Sequence, residues 1–193
     1  MDQISFLSLF FFTFIAIATA VTPSSSTTTV YKNFVKTSCN ATTYPSACLN
    51  SLLPYATSVK SNPLRLVKQA LSATLKSAST TSSTISKLAK AKSITKGDAA
   101  VLKDCIGDLQ DSIGEIKDSL TAISSLESSK SKKFVISNAE TWTSAAISDE
   151  YSCTDGISDE KMSPAVMKKI KSSIVTTARL SSNALYLINH LNV

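Results

Sequence analysis

The stretch Leu102–Ile123, LKDCIGDLQDSIGEIKDSLTAI, carries the clearest repeat in the chain. Its large aliphatic residues are spaced alternately four and three positions apart: Leu102, Ile106, Leu109, Ile113, Ile116, Leu120 and Ile123. A heptad seam of this kind is typical of a helix that crosses its neighbours at about 20°. The sequence therefore predicts that this segment is one helix of a bundle.

Three further segments have helical patterns. Asn62-Pro63 has the form of an N-cap followed by proline at the first helical position, and predicts a helix to about Ala91. A third helix is expected from about Phe134 to Ser148, with a turn at Cys153–Gly156, and Ser163-Pro164 begins the last one. The prediction is an all-α protein, an up-down-up-down four-helix bundle with an N-terminal helical hairpin before residue 62.

The N-terminus has the pattern of a secretory signal peptide at residues 1–20. An apolar run from Ile4 to Ile17 precedes Ala18-Thr19-Ala20, which matches the small residues that a signal peptidase accepts. The run is shorter than the roughly 20 residues that a membrane-spanning helix needs. We expect a disordered Ser/Thr-rich lead at residues 21–29 and a single domain at 30–193, secreted from the cell.

The charge of the chain favours acidic partners. The 193 residues carry net charge +6, and removal of residues 1–20 takes away one acid, Asp2, and no base, which gives +7. A basic secreted protein is expected to adsorb to acidic polymers such as pectin. Lysines are spread along the sequence, so no basic cluster is predicted, and neither nucleic acid nor a membrane is expected as a partner.

The composition excludes most enzyme classes. The single histidine, His190, leaves no Ser/His/Asp or Cys/His pair and no histidine-based metal cluster. Four glycines form no phosphate-binding loop. We therefore expect no enzyme activity, no catalytic residue, no metal and no cofactor.

Four cysteines in a secreted chain allow two disulfides in three connectivities. Cys39 and Cys48 flank a turn-rich segment, whereas Cys105 and Cys153 lie on separate helical segments, and this spacing favours the pairs 39–48 and 105–153. Zinc is the competing interpretation, but the chain has no CxxC pair. Asn40-Ala41-Thr42 is a possible N-glycosylation sequon.

Five short motifs occur in order along the chain. They are Cys39-x4-Tyr44-Pro45-x2-Cys48; Leu102-x-Asp104-Cys105 with Asp111 six residues after the cysteine; Thr141-Trp142-x-Ser144-Ala145-Ala146; Ser152-Cys153-x-Asp155-Gly156; and Ser182-Asn183-Ala184-Leu185. With these motifs the chain resembles the plant invertase and pectin methylesterase inhibitor family over essentially the whole region after residue 20.

The resemblance implies an inhibitor that acts in the plant cell wall, the apoplast, without catalytic residues of its own. Such a protein covers the active-site cleft of a carbohydrate-active enzyme in a non-covalent one-to-one complex. Three polar positions match those that the family uses toward the esterase: Asp111, Ser152, where the family usually has threonine, and Asp155. An alternative for the two acids is structural, with Asp155 capping a turn and Asp111 simply solvated.

Two targets and one further function class remain open. The segment from Thr141 to Ala146, continuing to Gly156, is similar to the pectin methylesterase branch. Acid invertase is the alternative, because Lys132-Lys133-Phe134 keeps the Lys and Phe of the Pro-Lys-Phe motif typical of invertase inhibitors. A basic structural wall protein that binds pectin directly is the alternative from another class.

Overall fold

A computed structural model describes residues 24–92, 94–158 and 164–192. In this part of the chain the structure is all-α with two disulfides, which confirms the predicted fold class. The signal peptide predicted for residues 1–20 lies outside the described residues.

An N-terminal hairpin precedes four long helices. The hairpin contains α1 (Ser25–Asn40), α2 (Pro45–Leu52), a 3₁₀ turn (Leu53–Tyr55) and α3 (Ala56–Val59). The bundle contains α4 (Pro63–Ala89), α5 (Lys96–Ser125), α6 (Lys132–Ser158) and α7 (Pro164–Asn189). Each long helix packs against the next, and α7 closes the bundle against α4. The pair α5 and α6 therefore forms one side of the bundle, and the pair α4 and α7 forms the opposite side.

Local capping explains where two of the bundle helices begin. Asn62 Oδ1 accepts a hydrogen bond from the Arg65 N–H at 2.9 Å, and Pro63 occupies the first helical position. Thr95 Oγ1 accepts from the Asp98 N–H at 3.1 Å and begins α5 in the same way. The start of α4 agrees with the sequence-based prediction.

The disordered lead predicted at residues 21–29 is wrong for its last part, because α1 begins at Ser25. Ser24 caps the helix by accepting from the Thr27 N–H. Thr29 Oγ1 donates to the Ser25 carbonyl, so the Ser/Thr side chains here bond within the helix. A Ser/Thr-rich composition favours disorder only where such a cap and a following apolar helix are absent.

Helix α6 also extends further than predicted. The expected turn at Cys153–Gly156 is helical, and the helix ends at Ser158. Cys153 is tied to α5 by its disulfide and Ile157 is fully buried in the core, so tertiary packing holds the last turns in place. The prediction that Asp155 caps a turn is therefore wrong, because Asp155 and Gly156 lie within the helix.

Both disulfides have the pairing that the spacing favoured. Cys39–Cys48 joins α1 to α2 within the hairpin, and Cys105–Cys153 joins α5 to α6 in the bundle. All four cysteines are buried. The described residues contain no free cysteine.

The core is aliphatic but contains many hydroxyl groups. From the predicted seam Leu102, Leu109, Ile116 and Ile123 are fully buried, whereas Ile106, Ile113 and Leu120 are half-buried. Three further buried residues of α5 alternate along the sequence with the fully buried aliphatic residues: Cys105, Ser112 and Ser119. Ser119 and Thr143 illustrate the pattern, since the Thr143 hydroxyl donates to Ser119 Oγ at 3.0 Å. The buried side of α5 is thus mainly apolar, with two serine hydroxyls among its seven buried positions.

Candidate functional site

A stripe of carboxylates follows α5 on the side that faces α6. It contains Asp104, Asp108, Asp111, Glu115 and Asp118, spaced four, three, four and three residues apart. Residues with this spacing lie on one side of a helix. Asp104, Asp111 and Asp118 are exposed, whereas Asp108 and Glu115 are half-buried. The same heptad that buries one face of α5 therefore aligns its acids on another.

The register between α5 and α6 brings further polar groups to this stripe. The Cys105–Cys153 disulfide and a hydrogen bond from Ser112 Oγ to Glu150 Oε1 (3.0 Å) fix the two helices against each other. This register places the Asp149 side chain next to that of Glu115, so that the two carboxyl groups can share a hydrogen bond when one of them is protonated. Ser152 follows Asp149 by three residues and is exposed. We name the α5 stripe together with Asp149 and Ser152 the acidic face.

Burial, together with neighbouring like charges, raises the pKa values of three acids on this face. Burial, followed by the charge and hydrogen bond of Asp149, raises the pKa of Glu115 to about 7. Burial raises the pKa of Asp149 as well, although its hydrogen bond with Glu115 lowers it in part. Burial and the charges of Asp149, Asp104 and Asp111 raise the pKa of Asp108. Below about pH 7, Glu115 and Asp149 therefore share a proton, and the pair can both donate and accept.

Directly beneath the acidic face lies a buried carboxyl group, that of Glu150. The side chain is 0% exposed, and its Oε1 accepts from Ser112 of α5 and from Ser181 of α7 at 3.0 and 2.8 Å. Its Oε2 has no hydrogen-bond partner among the described residues. Burial raises the pKa of Glu150 to about 7, against the hydrogen bonds from the two serines, which lower it. Glu150 is thus a structural group that connects three helices, and it does not reach the surface.

The three predicted contact residues are all exposed. Asp111 is in the middle of the acidic face, and its charge raises the pKa of Asp108, Glu115 and Asp149. Ser152 lies beside Asp149 on α6. Asp155 follows Asp149 by six residues, about 120° further around the helix, and contributes to none of those pKa shifts. Asp155 follows Ser152 by three residues, so it lies next to Ser152 at the edge of the face.

Sequence reasoning missed most of the acids on this face. Asp104, Asp108, Glu115 and Asp118 share the heptad spacing of Asp111, and this spacing could have identified them. Asp149 could not have been found in this way, because its position depends on the register between α5 and α6. Asn40 is exposed at the end of α1, so its side chain is accessible, and its glycosylation stays a prediction.

The chemistry of the face is that of a binding surface. In the described residues no cluster of three or more His, Cys, Asp or Glu side chains could hold a metal ion. Among the described helices, none is long and apolar enough to cross a membrane. The acids offer hydrogen-bond acceptors and negative charge on two rigid, disulfide-linked helices. Such a surface can bind a partner without a reaction of its own.

Comparison with known proteins identifies the family. The sequence profile described as plant invertase/pectin methylesterase inhibitor matches residues 33–187. The chain belongs to this inhibitor family. Pectinesterase inhibitor 4 of Arabidopsis thaliana is 38% identical over 177 residues, which cover 89% of this chain and 87% of that protein. Pectinesterase inhibitor 11 of the same plant is 36% identical over 81% of this chain and 79% of its own length.

A solved structure has the same fold. The crystal structure of a mutant form of a pectin methylesterase inhibitor from Arabidopsis superposes with a TM-score of 0.65, at 19% identity, over 82% of this chain and 97% of its own. At this identity the likeness shows the fold. Members of the inhibitor family are inhibitors and not enzymes, and the chain is accordingly not an enzyme.

Proposed function

We propose that this inhibitor-family protein binds a pectin methylesterase through its acidic face and blocks the active-site cleft in a non-covalent one-to-one complex. The observation that carries the proposal is the alignment of exposed Asp104, Asp111 and Asp118 on a helix fixed to α6 by a disulfide. A surface that is rigid before binding loses little conformational entropy on association. The relatives named pectinesterase inhibitors support this choice of target.

The acidic face provides both charge and directional hydrogen bonding. Exposed carboxylates steer an oppositely charged partner toward the face and set its orientation. Asp111 offers acceptor oxygens at the centre, and the Ser152 hydroxyl can donate or accept beside it. The Glu115–Asp149 pair adds a donor while it holds its proton. We propose Asp111 and Ser152 as the main contacts and Asp155 as a contact at the edge.

We propose that the protein acts outside the cell, in the plant cell wall, after removal of residues 1–20. The apolar run from Ile4 to Ile17 and the small residues that follow support secretion. Two disulfides support it as well, because such bonds persist in oxidising compartments. A wall location would place the inhibitor beside the esterase and its pectin substrate.

The experiment that tests the proposal is an inhibition assay with purified protein between pH 4 and 7. Pectin methylesterase and acid invertase are assayed separately, and inhibition of the esterase is expected. The double variant Asp111→Asn/Ser152→Ala should weaken esterase inhibition at least tenfold, the size of effect that interface hot spots give. Glu127→Gln is a matched control, because Glu127 is an exposed acid just beyond the end of α5.

Two outcomes would overturn the proposal. One is the absence of inhibition of the esterase across this pH range by protein with both disulfides intact. The other is an equal loss of inhibition in the Glu127→Gln control and in the double variant, which would show that total charge matters and the acidic face does not. Asp155→Asn, tested alone, separates the edge position from the centre.

A second candidate target, acid invertase, is favoured by the exposed Phe134. This side chain at the start of α6 is 64% exposed and follows Lys132 and Lys133, which are exposed as well. An exposed large aromatic side chain flanked by cations is typical of an interface anchor. If invertase is the target, Phe134→Ala should abolish its inhibition, while Asp111→Asn/Ser152→Ala should leave it unchanged.

A further inference from the structure

Folding separates the charges of the chain onto two opposite sides of the bundle. Helices α5 and α6 contain ten acids and five cations, whereas α4 and α7 contain eight cations and no acid. Because α4 packs against α7, Lys76, Lys87 and Lys169 come to lie along the junction of these two helices, whereas Arg179 of α7 lies over the Tyr44 ring of the hairpin. The sequence alone predicts no basic cluster, and it does not show that these three lysines lie along one junction. Lysines that are evenly spread along the sequence are concentrated by the fold.

A groove runs along the junction of α4 and α7. One part, about 400 Å³, is lined by hydroxyl side chains and Lys76. The adjoining part, about 570 Å³, shares Ser173 with the first and has aliphatic walls, with Lys87 and Lys169 on its two sides. We name this feature the basic groove. Lys76 and Lys87 are eleven residues apart on α4, a separation of about 16 Å along the helix axis.

The lysines of the groove are available to a ligand. Lys76, Lys87 and Lys169 are exposed, and within residues 24–92, 94–158 and 164–192 no carboxylate forms an ion pair with them. Ten of the acids in the described residues lie on α5 and α6, on the other side of the bundle. As far as the described part of the chain is concerned, an anionic ligand would therefore meet ammonium groups without an ion-pair partner at both ends of the groove.

The hydroxyl groups of the groove are oriented to accept hydrogen bonds. Thr80, Thr84, Ser173 and Thr176 each donate to the backbone carbonyl four residues earlier. Each oxygen keeps lone pairs for a ligand hydroxyl. At the floor, Ser77 Oγ and Thr177 Oγ1 lie 2.8 Å apart and join the two helices. Spaced ammonium groups with hydroxyl acceptors between them match a ligand that alternates carboxylates and hydroxyls.

We propose that the basic groove binds a linear oligomer of uronic acid, the chemical class of de-esterified pectin. The uronate carboxylates would contact Lys76, Lys87 and Lys169, and the sugar hydroxyls would donate to the Thr and Ser oxygens between them. Leu88 and Val166, half-buried residues that line the wider part, would pack against the carbon face of a sugar ring. The groove lies opposite the acidic face, so one molecule could hold its esterase and the acidic product chain at once.

The test is calorimetric titration of the full chain with a short linear oligomer of galacturonic acid, at low and at physiological ionic strength. We expect saturable binding that weakens with salt, because the contacts are ionic. The triple variant Lys76→Gln/Lys87→Gln/Lys169→Gln should lose about tenfold in affinity. The matched control Lys32→Gln/Lys36→Gln/Lys130→Gln removes the same charge from exposed positions outside the groove and should lose less than twofold.

Three results would overturn the proposal. The first is no saturable binding by the native chain, and the second is equal loss in the two triple variants, which would indicate attraction by net charge only. The third is equally tight binding of a sulfated polysaccharide or of anionic phospholipid vesicles, which would show no selection for uronate. Esterase inhibition by the groove variant, measured in parallel, should be unchanged. The two assays thereby distinguish an error in the proposed uronate binding from an error in the proposed esterase inhibition.

Discussion

Asn183 of α7 and Tyr44 in the turn between α1 and α2 are joined by two hydrogen bonds. The Tyr44 N–H donates to Asn183 Oδ1, and Asn183 Nδ2 donates to the Tyr44 carbonyl, both at 2.9 Å. Asn183 is buried, and the guanidinium of Arg179, one turn earlier on α7, lies 5.5 Å from the centre of the Tyr44 ring. This pair fixes the hairpin on the bundle through the backbone of its turn.

Replacement of Asn183 by alanine should destabilise the protein by about 3 kcal/mol. The change removes two hydrogen bonds and leaves a partly buried N–H and C=O of Tyr44 without partners. Urea unfolding measures the loss, and amide hydrogen exchange should show it first in α1 and α2. The control Asn33→Ala changes an exposed residue of α1 and should stay within about 0.5 kcal/mol of the native chain. Equal stability of the two variants would contradict this role of Asn183.

The heptad at Leu102–Ile123 predicted the helix and its bundle packing, but not the exact face that it buries. Leu102 and Leu109 are fully buried, as the pattern requires, while Ile106 and Ile113 are only half-buried. Their expected places in the core belong to Cys105 and Ser112, because the disulfide and the carboxyl of Glu150 need those positions. A hydrophobic pattern cannot indicate that a polar contact from another helix will replace an aliphatic side chain.

Two alanine substitutions on α5 test which of its aliphatic residues face the core. Leu109→Ala should cost about 3 kcal/mol or more, because Leu109 is fully buried and a cavity remains. Ile113→Ala should cost about 1 kcal/mol, because part of the Ile113 side chain is already in contact with water. Thermal or urea unfolding of the two variants is the measurement. Equal costs would mean that the seam is buried as the sequence alone suggests.

The sequence could predict only those parts of the candidate site that lie on a single helix. Asp111 and its neighbours on α5 share one heptad, so the spacing contains the acidic stripe. Asp149 joins the stripe only because α6 is held in one register by Cys153. The basic groove depends on the pairing of α4 with α7, which are almost one hundred residues apart in sequence. Which charged residues lie close together in space depends on which helices pack against each other. The sequence pattern of a single helix does not contain this information.

Removal of each disulfide should destabilise the chain according to the loop that it closes. Cys39–Cys48 closes a separation of 9 residues and Cys105–Cys153 one of 48. In the chain-entropy description the contributions are roughly 3 and 4 kcal/mol. In each variant both cysteines of one disulfide are replaced by alanine, and the free energy of unfolding is measured in urea. Loss of Cys105–Cys153 should therefore lower this free energy more than loss of Cys39–Cys48. The reverse ranking would show that hairpin docking matters more than loop entropy.

Glu150 should make the protein less stable as the pH rises from about 4.5 to 7. Burial raises the pKa of Glu150 to about 7 in the folded chain, from a usual value of 4.5. In this window the folded chain keeps a proton that the unfolded chain has released. The free energy of unfolding is therefore highest below pH 4.5, falls through the window and is lowest above pH 7. The contribution is about 3 kcal/mol. Urea unfolding at pH 4.5, 6 and 8 would follow it.

The variant Glu150→Gln tests the origin of this pH dependence. Glutamine keeps an oxygen that accepts from Ser112 and Ser181 but carries no charge at any pH. At pH 4.5 the variant should be nearly as stable as the native chain, and at pH 8 it should be the more stable of the two by about 2–3 kcal/mol. The exposed acid variant Glu127→Gln should keep the native profile. An unchanged profile in Glu150→Gln would place the pH dependence elsewhere.

Glu115→Gln should raise the thermal stability above pH 7 and change it little near pH 5. Burial and the neighbouring Asp149 raise the pKa of Glu115 to about 7, so the native pair shares a proton at acidic pH and becomes two adjacent carboxylates when the pH rises. Glutamine supplies an N–H to Asp149 at every pH and removes that repulsion. The melting temperature at pH 5 and pH 8, compared with the Asp118→Asn variant of an exposed acid on the same stripe, is the measurement. A gain of the same size at both pH values would mean that the stripe is stabilised simply by lower negative charge and that the Glu115–Asp149 proton plays no part.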